Sequence, residues 1–302
     1  MEKISLGLIN FTNCLPINYT LEKWANEDII LSWGYPVLIN QLMKAGQVHV
    51  APISAFEYLT NKDDYILIKE ACITSDAECG SVILFSNHKL EDLAGKKIGI
   101  PYDSATSINM LKIIFNEKGI PLESINFVWH KYEKPLFEAL KNEFDAVLYI
   151  GDNALVSRFL LCHCEELATK QSTCSKGGNG LLRFARNDLY QYDLGKLWKE
   201  MTGLPPVFGV WVARADWAVN HKDDFDRIKF LISKAVEAGL GMYFNEVIQK
   251  AASELDLADY FIKDYLTAKI KYNLTTEHEK SLDLFKKLYN KLNEHSEAFS
   301  KL

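Results

Sequence analysis

Four short apolar runs in the first third of the chain each lead, through a polar loop, into a segment with helical spacing. The runs begin at Ile4, Ile29, Val48 and Ile98. In the first case Pro16 follows the loop, and a proline favours the first turn of a helix because its missing N–H would have no partner there. Strands that alternate with helices predict an α/β fold with a largely parallel sheet. Ligands of such sheets bind beyond the carboxyl ends of the strands, next to helix N-termini.

The loops after these runs, together with residues 74–81, are rich in uncharged hydrogen-bonding groups. Their polar residues and glycines include Asn13, Ser54, Thr74, Ser75, Gly80, Ser81, Asp103 and Ser104. No arginine precedes Arg158, so the first half of the chain would have to hold a carboxylate with backbone N–H groups, hydroxyls, amides or a lysine. Any one of these residues is more simply a turn former or a helix cap. Because five such loops converge, we expect an anion-binding edge.

Beyond residue 80 the apolar runs predict a second α/β unit and a return to the first. Strands are predicted at 81–86, 96–101, 125–130, 145–151 and within 205–217, and helical spacing continues to the end of the chain. A chain that enters a second lobe and returns makes a clamp with a ligand cleft between two α/β lobes. We expect lobe 1 to contain residues 1–86 and 207–302, and lobe 2 to contain residues 87–206.

Composition and charge exclude several classes of function. Of 302 residues, 48% are apolar and 25% are charged, and the net charge of −6 is spread along the chain, so no nucleic-acid partner is predicted. The N-terminal apolar run, about six residues long, is too short for a signal peptide or a membrane span, and we expect a cytoplasmic protein with no membrane partner. Six scattered cysteines predict no disulfide framework. No cofactor motif is present, so no cofactor is predicted, and the oligomeric state stays open.

Several motifs in order resemble the chorismate dehydratase family of the futalosine route to menaquinone. They are NFTNCLPINYTLE, GYPVLINQLMKAGQVHVAPISAFEYLTN, ITSDAECGSVILFS, LAGKKIGIPYDSATSINMLKII, AVLYIGDNAL and YDLGKLWKEMTGLPPVFGVWVAR. The resemblance implies a type II periplasmic-binding-protein-like fold used as a cytoplasmic lyase. It implies dehydration of chorismate, a small dicarboxylate, to 3-[(1-carboxyvinyl)oxy]benzoate.

The same motifs suggest roles for individual residues. Asn13 and Ser81 are expected to be the functional groups closest to the reaction, and Thr106 and Ser107 to hold a carboxylate at a helix N-terminus. Ser54 is a further candidate for substrate binding. All of these residues can also be read as caps.

The sequence leaves the identity of the general base open. Asp76 and Asp152 lie in matched motifs and could take the proton, although Asp152 is more simply a cap or turn residue. In a third possibility the enolpyruvyl carboxylate of the substrate removes the proton itself. His49, His88 and His130 are expected to be structural.

One segment, at about residues 158–188, departs from the family pattern. Its composition resembles the translated product of a mobile element, and we expect an exposed, partly disordered insertion in lobe 2, remote from the cleft. It contains Cys162, His163, Cys164 and Cys174, but a C-x-C motif with one distant cysteine lacks the paired C-x-x-C motifs of a structural zinc site. No metal is therefore predicted.

Three alternatives accompany the dehydratase prediction. The sister menaquinone enzyme that cleaves cyclic futalosine is similar in fold, but there a histidine is expected as base. A non-catalytic solute-binding protein for a small carboxylate would share the fold but would need an export signal. A transcription-regulator ligand domain would need a DNA-binding helix-turn-helix, for which no segment is left over. Fold alone does not separate these functions.

Overall fold

The computed structural model describes residues 3–171 and 189–299. Within them, ten strands form two five-stranded sheets, one in each lobe. In spatial order the first sheet contains β2 (Ile29–Gly34), β1 (Ile4–Ile9), β3 (Val50–Ser54), β10 (Val207–Arg214) and β4 (Tyr65–Thr74). The second contains β7 (Asn126–His130), β6 (Lys97–Pro101), β8 (Ala146–Ile150), β5 (Val82–Ser86) and β9 (Tyr190–Asp193).

Twelve α-helices surround these sheets in the described part of the chain. They are α1 (Leu15–Trp24), α2 (Pro36–Lys44), α3 (Ala55–Thr60), α4 (Ala105–Glu117), α5 (Leu136–Asn142), α6 (Gly151–Gln171), α7 (Leu194–Thr202), α8 (Ala215–Asn220), α9 (Lys222–Leu240), α10 (Phe244–Leu255), α11 (Asp259–Asp264) and α12 (Thr276–Phe299). Proline stands in the first turn of α1 and α2, and serine side chains cap α3 and α4. The loops therefore end where the sequence places helix starts.

Each sheet is parallel on one side and antiparallel on the other. β1 runs parallel to β2 and β3, and β6 runs parallel to β7 and β8. By contrast, β10 is antiparallel to β3 and β4, and β5 is antiparallel to β8 and β9. These sheets are less parallel than the sequence predicts, because β5 and β10 are the strands that enter each sheet from the opposite lobe.

The strand β5 belongs to lobe 2. The sequence-based boundary at residue 86 puts it in lobe 1, whereas its hydrogen-bonded neighbours are β8 and β9 of the second sheet. The chain thus crosses between the lobes at residues 75–81 and returns at 203–206. These two crossings touch, since the N–H of Ser75 lies 3.4 Å from the carbonyl oxygen of Pro206.

The first part of the segment expected to be an exposed, partly disordered insertion is instead helical. Residues 158–171 continue helix α6. Leu161 is buried, Phe159 packs edge-on against Phe261 at 5.0 Å, and the Arg158 guanidinium pairs with Glu78 at 2.5 Å. Arg158, Phe159 and Leu161 therefore pack into the fold, whereas Leu160 and Cys162 are exposed. Residues 172–188, with Cys174, lie outside the described residues.

The lobes also meet on the side of α3, α4 and α12. The Thr106 hydroxyl oxygen, at the start of α4, accepts the N–H of Phe56 in α3 at 3.0 Å. The Trp198 indole N–H of α7 donates to Ser281 Oγ of α12 at 2.9 Å, in a fully buried contact. The carboxyl-terminal helix therefore ties the two lobes together. Among the described helices, none is long and apolar enough to cross a membrane.

Candidate active site in the cleft between the lobes

A cleft lies where the carboxyl ends of β1, β3 and β8 approach the start of β5. It contains about 690 Å³ of space free of protein atoms, part of it open to solvent. Its lining comes from both lobes and includes Ser81 of the first crossing segment. Of the residues selected from the sequence, Asn13, Ser54, Ser81, Ser104 and Ser107 line it. The remaining wall is largely apolar and includes Ile9, Phe11, Ile53, Ile150 and Phe208.

Asn13 and Ser81 approach each other through a tyrosine of lobe 1. The Tyr265 hydroxyl lies 2.8 Å from Ser81 Oγ and is fully buried. Burial raises the pKa of Tyr265 well above its ordinary value, and hydrogen bonding with Ser81 and Asn13 only partly opposes that shift. Tyr265 is therefore neutral and donates its proton to Ser81. The hydroxyl proton of Ser81 is then left free to point into the cleft.

Three serines stand at helix N-termini that open on the cleft. Ser54 Oγ accepts the N–H of Glu57 at 3.1 Å, at the start of α3. Ser104 Oγ accepts the N–H of Ser107 at 3.3 Å, and the two hydroxyl oxygens are 2.7 Å apart. These serines can therefore cap helices and line the cleft at the same time. The 13-residue helix α4 directs the partial positive charge of its N-terminus at this corner of the cleft.

Other residues selected from the sequence support the cleft without lining it. Thr74 donates to the carbonyl oxygen of Lys271 at 3.1 Å, and Ser75 donates to that of Ala77 at 2.9 Å. Gly80 has a left-handed φ of +75°, and a Cβ there would lie 2.6 Å from the Arg158 guanidinium. Thr106 is expected from the sequence to hold a carboxylate. Its side chain in the first turn of α4 points towards α3 instead, and its hydroxyl oxygen accepts the Phe56 N–H.

The two carboxylates considered as bases lie away from the lining. The Asp76 side chain is 78% exposed, and its nearest charged neighbour is Lys271 at 3.7 Å. Asp152, at the start of α6, accepts the N–H of Thr12 at 3.0 Å. It faces a neighbouring pocket with Lys250 and Glu254. Burial raises the pKa of Asp152.

Asp103 and Tyr265 are site residues for which the sequence suggests no catalytic or binding role of their own. Asp103 lies in the loop between β6 and α4 and lines the cleft. In the sequence Asp103 stands in a polar loop directly before the capping Ser104. This position is the one feature of the sequence that could have identified it. Tyr265 lies in a π-helical turn, Tyr265–Lys269, whose spacing reads as a buried helix face. Such turns are frequent at functional sites, but the sequence alone gives no sign of one here.

The histidines and cysteines have structural surroundings. His49 stacks on Trp217 at 5.0 Å, His88 contacts Asp145 at 3.0 Å, and His130 packs against aromatic rings. Burial raises the pKa of the cleft residue Cys14 to about 12, which keeps its thiol protonated. Within residues 3–171 and 189–299 no group of three or more histidine, cysteine, aspartate or glutamate side chains could hold a metal. The side chains of His163 and Cys164, and Cys174, lie outside the described residues.

Comparison with known proteins agrees with this architecture. The chain is 26% identical, over 266 residues and 88% of each sequence, to the chorismate dehydratase of Thermus thermophilus. The solved structure of protein AF1704 from Archaeoglobus fulgidus superposes with a TM-score of 0.67 at 18% identity, covering 98% of both chains.

Two sulfonate-binding proteins share the fold. The alkanesulfonate-binding protein SsuA of Xanthomonas axonopodis pv. citri, bound to MOPS, gives a TM-score of 0.64 at 10% identity over 97% of this chain and 94% of that one. The periplasmic aliphatic sulphonate binding protein SsuA of Escherichia coli gives 0.63 at 12% identity over 96% and 87%. The periplasmic-binding-protein-like fold predicted from the sequence is confirmed. A family model described as menaquinone biosynthesis matches residues 4–291, and the chain belongs to that family.

Proposed function

We propose that this protein is a chorismate dehydratase, a hydro-lyase that converts chorismate to 3-[(1-carboxyvinyl)oxy]benzoate and water in the cytoplasm. The observation that carries the proposal is the set of neutral donors in the cleft. Asn13 and Ser81 are brought together across the two lobes, and Ser104 and Ser107 stand at the N-terminus of α4. The similarity to a chorismate dehydratase along 88% of the chain supports the same function.

The reaction requires orientation more than strong chemical catalysis. A proton leaves the ring carbon that bears the enolpyruvyl ether, the C–H electron pair forms the last ring double bond, and hydroxide leaves from the neighbouring carbon. The ring becomes aromatic, which supplies the driving force. The protein has to fix a dianion and stabilise charge that develops on the conjugated ring carboxylate, and fixed dipoles in an apolar cleft are suited to this task.

The neutral donors can divide this work between the two ends of the substrate. Ser104, Ser107 and the N-terminus of α4 form a site for one carboxylate. Ser81, with its oxygen occupied by the Tyr265 proton, has a hydroxyl proton to donate to the substrate. An amide is no useful base, so Asn13 acts as an orienting donor. Tyr265 is a positioning residue, since it acts through Ser81.

We favour the enolpyruvyl carboxylate of the substrate as the base that takes the proton. Asp76 is mostly exposed, and Asp152 is bonded to Thr12 and faces the neighbouring pocket. Substrate assistance needs only that the cleft hold the enolpyruvyl group over the ring. For the sister enzyme that cleaves cyclic futalosine we expect a histidine base, and the described residues that line the cleft include no histidine. That observation favours the dehydratase.

The test is to incubate the purified protein with chorismate and to follow the product by mass and by the appearance of aromatic proton signals. The wild-type protein should give an ion lighter by one water. Asn13→Ala and Ser81→Ala should lose turnover while remaining folded. Asn142→Ala and Ser253→Ala, at exposed helix positions that do not line the cleft, are matched controls and should keep wild-type turnover. A wild-type protein that binds chorismate without converting it would refute the proposal.

A further inference from the structure

Asp103 is the one carboxylic acid among the described residues that line the cleft. Its Oδ1 atom is buried and has no hydrogen-bond partner. A buried carboxylate oxygen normally accepts an N–H or pairs with a cation, because leaving it bare costs free energy. Ser104, the next residue, directs its oxygen to the start of α4, and the Asp103 carboxyl is hydrogen-bonded to its own backbone N–H, which leaves Oδ1 without a partner. The orphaned oxygen therefore indicates either a partner in the ligand or a protonated acid.

The surroundings of Asp103 favour the protonated form. Burial raises the pKa of Asp103, and the hydrogen bond from its own backbone N–H only partly opposes that rise. No lysine or arginine is among the described lining residues. The titratable group that faces Asp103 is Tyr132, whose own pKa rises through burial and through the charge of Asp103. Lys131 lies over the ring of the preceding residue, Tyr102, at 5.9 Å, and among the described residues it forms no ion pair with Asp103. A dianionic substrate in the same cleft raises the pKa of Asp103 further, since like charges disfavour a second ionised group.

This electrostatic arrangement decides between two possible roles. A general base has to be ionised when the substrate is bound, whereas an acid has to be protonated then. Because the described residues that line the cleft include no lysine or arginine and the substrate supplies two negative charges, Asp103 is suited to donate a proton. The departing hydroxyl is the one group in the proposed reaction that needs a proton.

We propose that Asp103 is the general acid that protonates the departing hydroxyl group. The inference rests on the proposed dehydratase function. As the C–H bond breaks and its electron pair forms the ring double bond, the C–O bond to the hydroxyl breaks. The oxygen takes the proton of Asp103 and leaves as water, so Asp103 becomes a carboxylate. The proton taken by the base returns to Asp103 through solvent after the product leaves, and the net reaction is loss of one water.

Asp103→Asn separates proton transfer from hydrogen bonding. The amide has nearly the same shape and can still donate a hydrogen bond, but it cannot give up a proton. We expect kcat to fall on the order of 10²–10⁴-fold, the usual contribution of general acid catalysis, with KM changed only a few-fold. Wild-type kcat should decline at high pH as Asp103 ionises in the complex, and the variant should lack that decline. Asp226→Asn, at an exposed position of α9, is the control and should match wild type.

A binding measurement tests the protonation state without relying on turnover. The dianionic product, 3-[(1-carboxyvinyl)oxy]benzoate, is titrated into the protein in buffers of different ionisation enthalpy. At a pH where free Asp103 is ionised, binding should take up about one proton in wild type and none in Asp103→Asn.

The outcomes separate the two proposals. Near-normal kcat in Asp103→Asn, or no difference in proton uptake, would overturn the role of Asp103 and leave the dehydratase proposal standing. If Asp103 only binds a substrate carboxylate, Asp103→Asn should raise KM and leave kcat unchanged. That result would also overturn the inference. Absence of both product binding and chorismate turnover in wild type would refute the dehydratase proposal and the role of Asp103 with it.

Discussion

Replacing Tyr265 by phenylalanine tests whether the lobe 1 tyrosine directs Ser81 into the cleft. The substitution keeps the buried ring and removes only the hydroxyl that lies 2.8 Å from Ser81 Oγ. Without that donor, the Ser81 hydroxyl can rotate and donate elsewhere, so part of its alignment with the substrate is lost. Turnover should fall although no substrate contact has been removed.

The size of the effect follows from the hydrogen bond that is lost. A hydrogen bond between neutral groups contributes about 0.5–1.5 kcal/mol net. In the transition state this range corresponds to a loss of roughly 2- to 13-fold in kcat. Ser81 is 2% exposed, so leaving its oxygen without a donor should also lower the free energy of unfolding by about 1–3 kcal/mol.

The assay compares kcat and KM for chorismate in four proteins, and urea unfolding gives their stabilities. These are wild type, Tyr265→Phe, Ser81→Ala and the double variant. Tyr260→Phe is the control, since Tyr260 is 62% exposed and should behave as wild type. If Tyr265 acts through Ser81, replacing Tyr265 in the Ser81→Ala background should cause no further loss of the residual kcat measured at high enzyme concentration. Full kcat in Tyr265→Phe beside an inactive Ser81→Ala would refute this reasoning, and so would additive losses in the double variant.

Two further predictions concern the packing and the electrostatics of the lobes. Gly239→Ala should destabilise the protein by about 1–3 kcal/mol or more, because a Cβ on α9 would lie 1.9 Å from the carbonyl oxygen of Pro16. Urea unfolding measures the loss of stability. An unchanged unfolding midpoint would contradict the prediction. Burial opposes ionisation of Glu78, but hydrogen bonds and charges from Lys269 and Arg158 lower its pKa overall. Its contribution to stability is therefore present above the ordinary glutamate pKa and is lost as the pH falls through the lowered value. Glu78→Gln should weaken the fold at neutral pH and make stability less pH-dependent below about pH 4.5, which thermal melts across that range can check.

The sequence predicts much of the local structure but less of the assembly. Strand, polar loop and helix follow each other as expected because apolar periodicity and caps are local signals. Asn13 and Ser54 lie at the same edge because β1 and β3 are parallel and end on the same side of the first sheet. Ser104 follows β6 of the second sheet and joins them because the two lobes face each other across the cleft. The position of β5 could not be predicted, since a short buried apolar run fits either sheet, and its pairing partners are decided by the chain crossing between lobes.

The missed site residues depend on contacts between distant parts of the chain. Tyr265 reaches Ser81 across 184 positions. In the sequence it is one more position of a helical stripe. For Asp103 the informative property is an oxygen without a partner, which exists only once the cleft is assembled.

Turnover of chorismate by the purified protein, followed by mass and by aromatic proton signals, tests the central claim most directly. The account predicts 3-[(1-carboxyvinyl)oxy]benzoate from wild type and from the Asn142→Ala and Ser253→Ala controls, with none from folded Asn13→Ala or Ser81→Ala. Chorismate that binds to the wild-type protein and is recovered unchanged would contradict it.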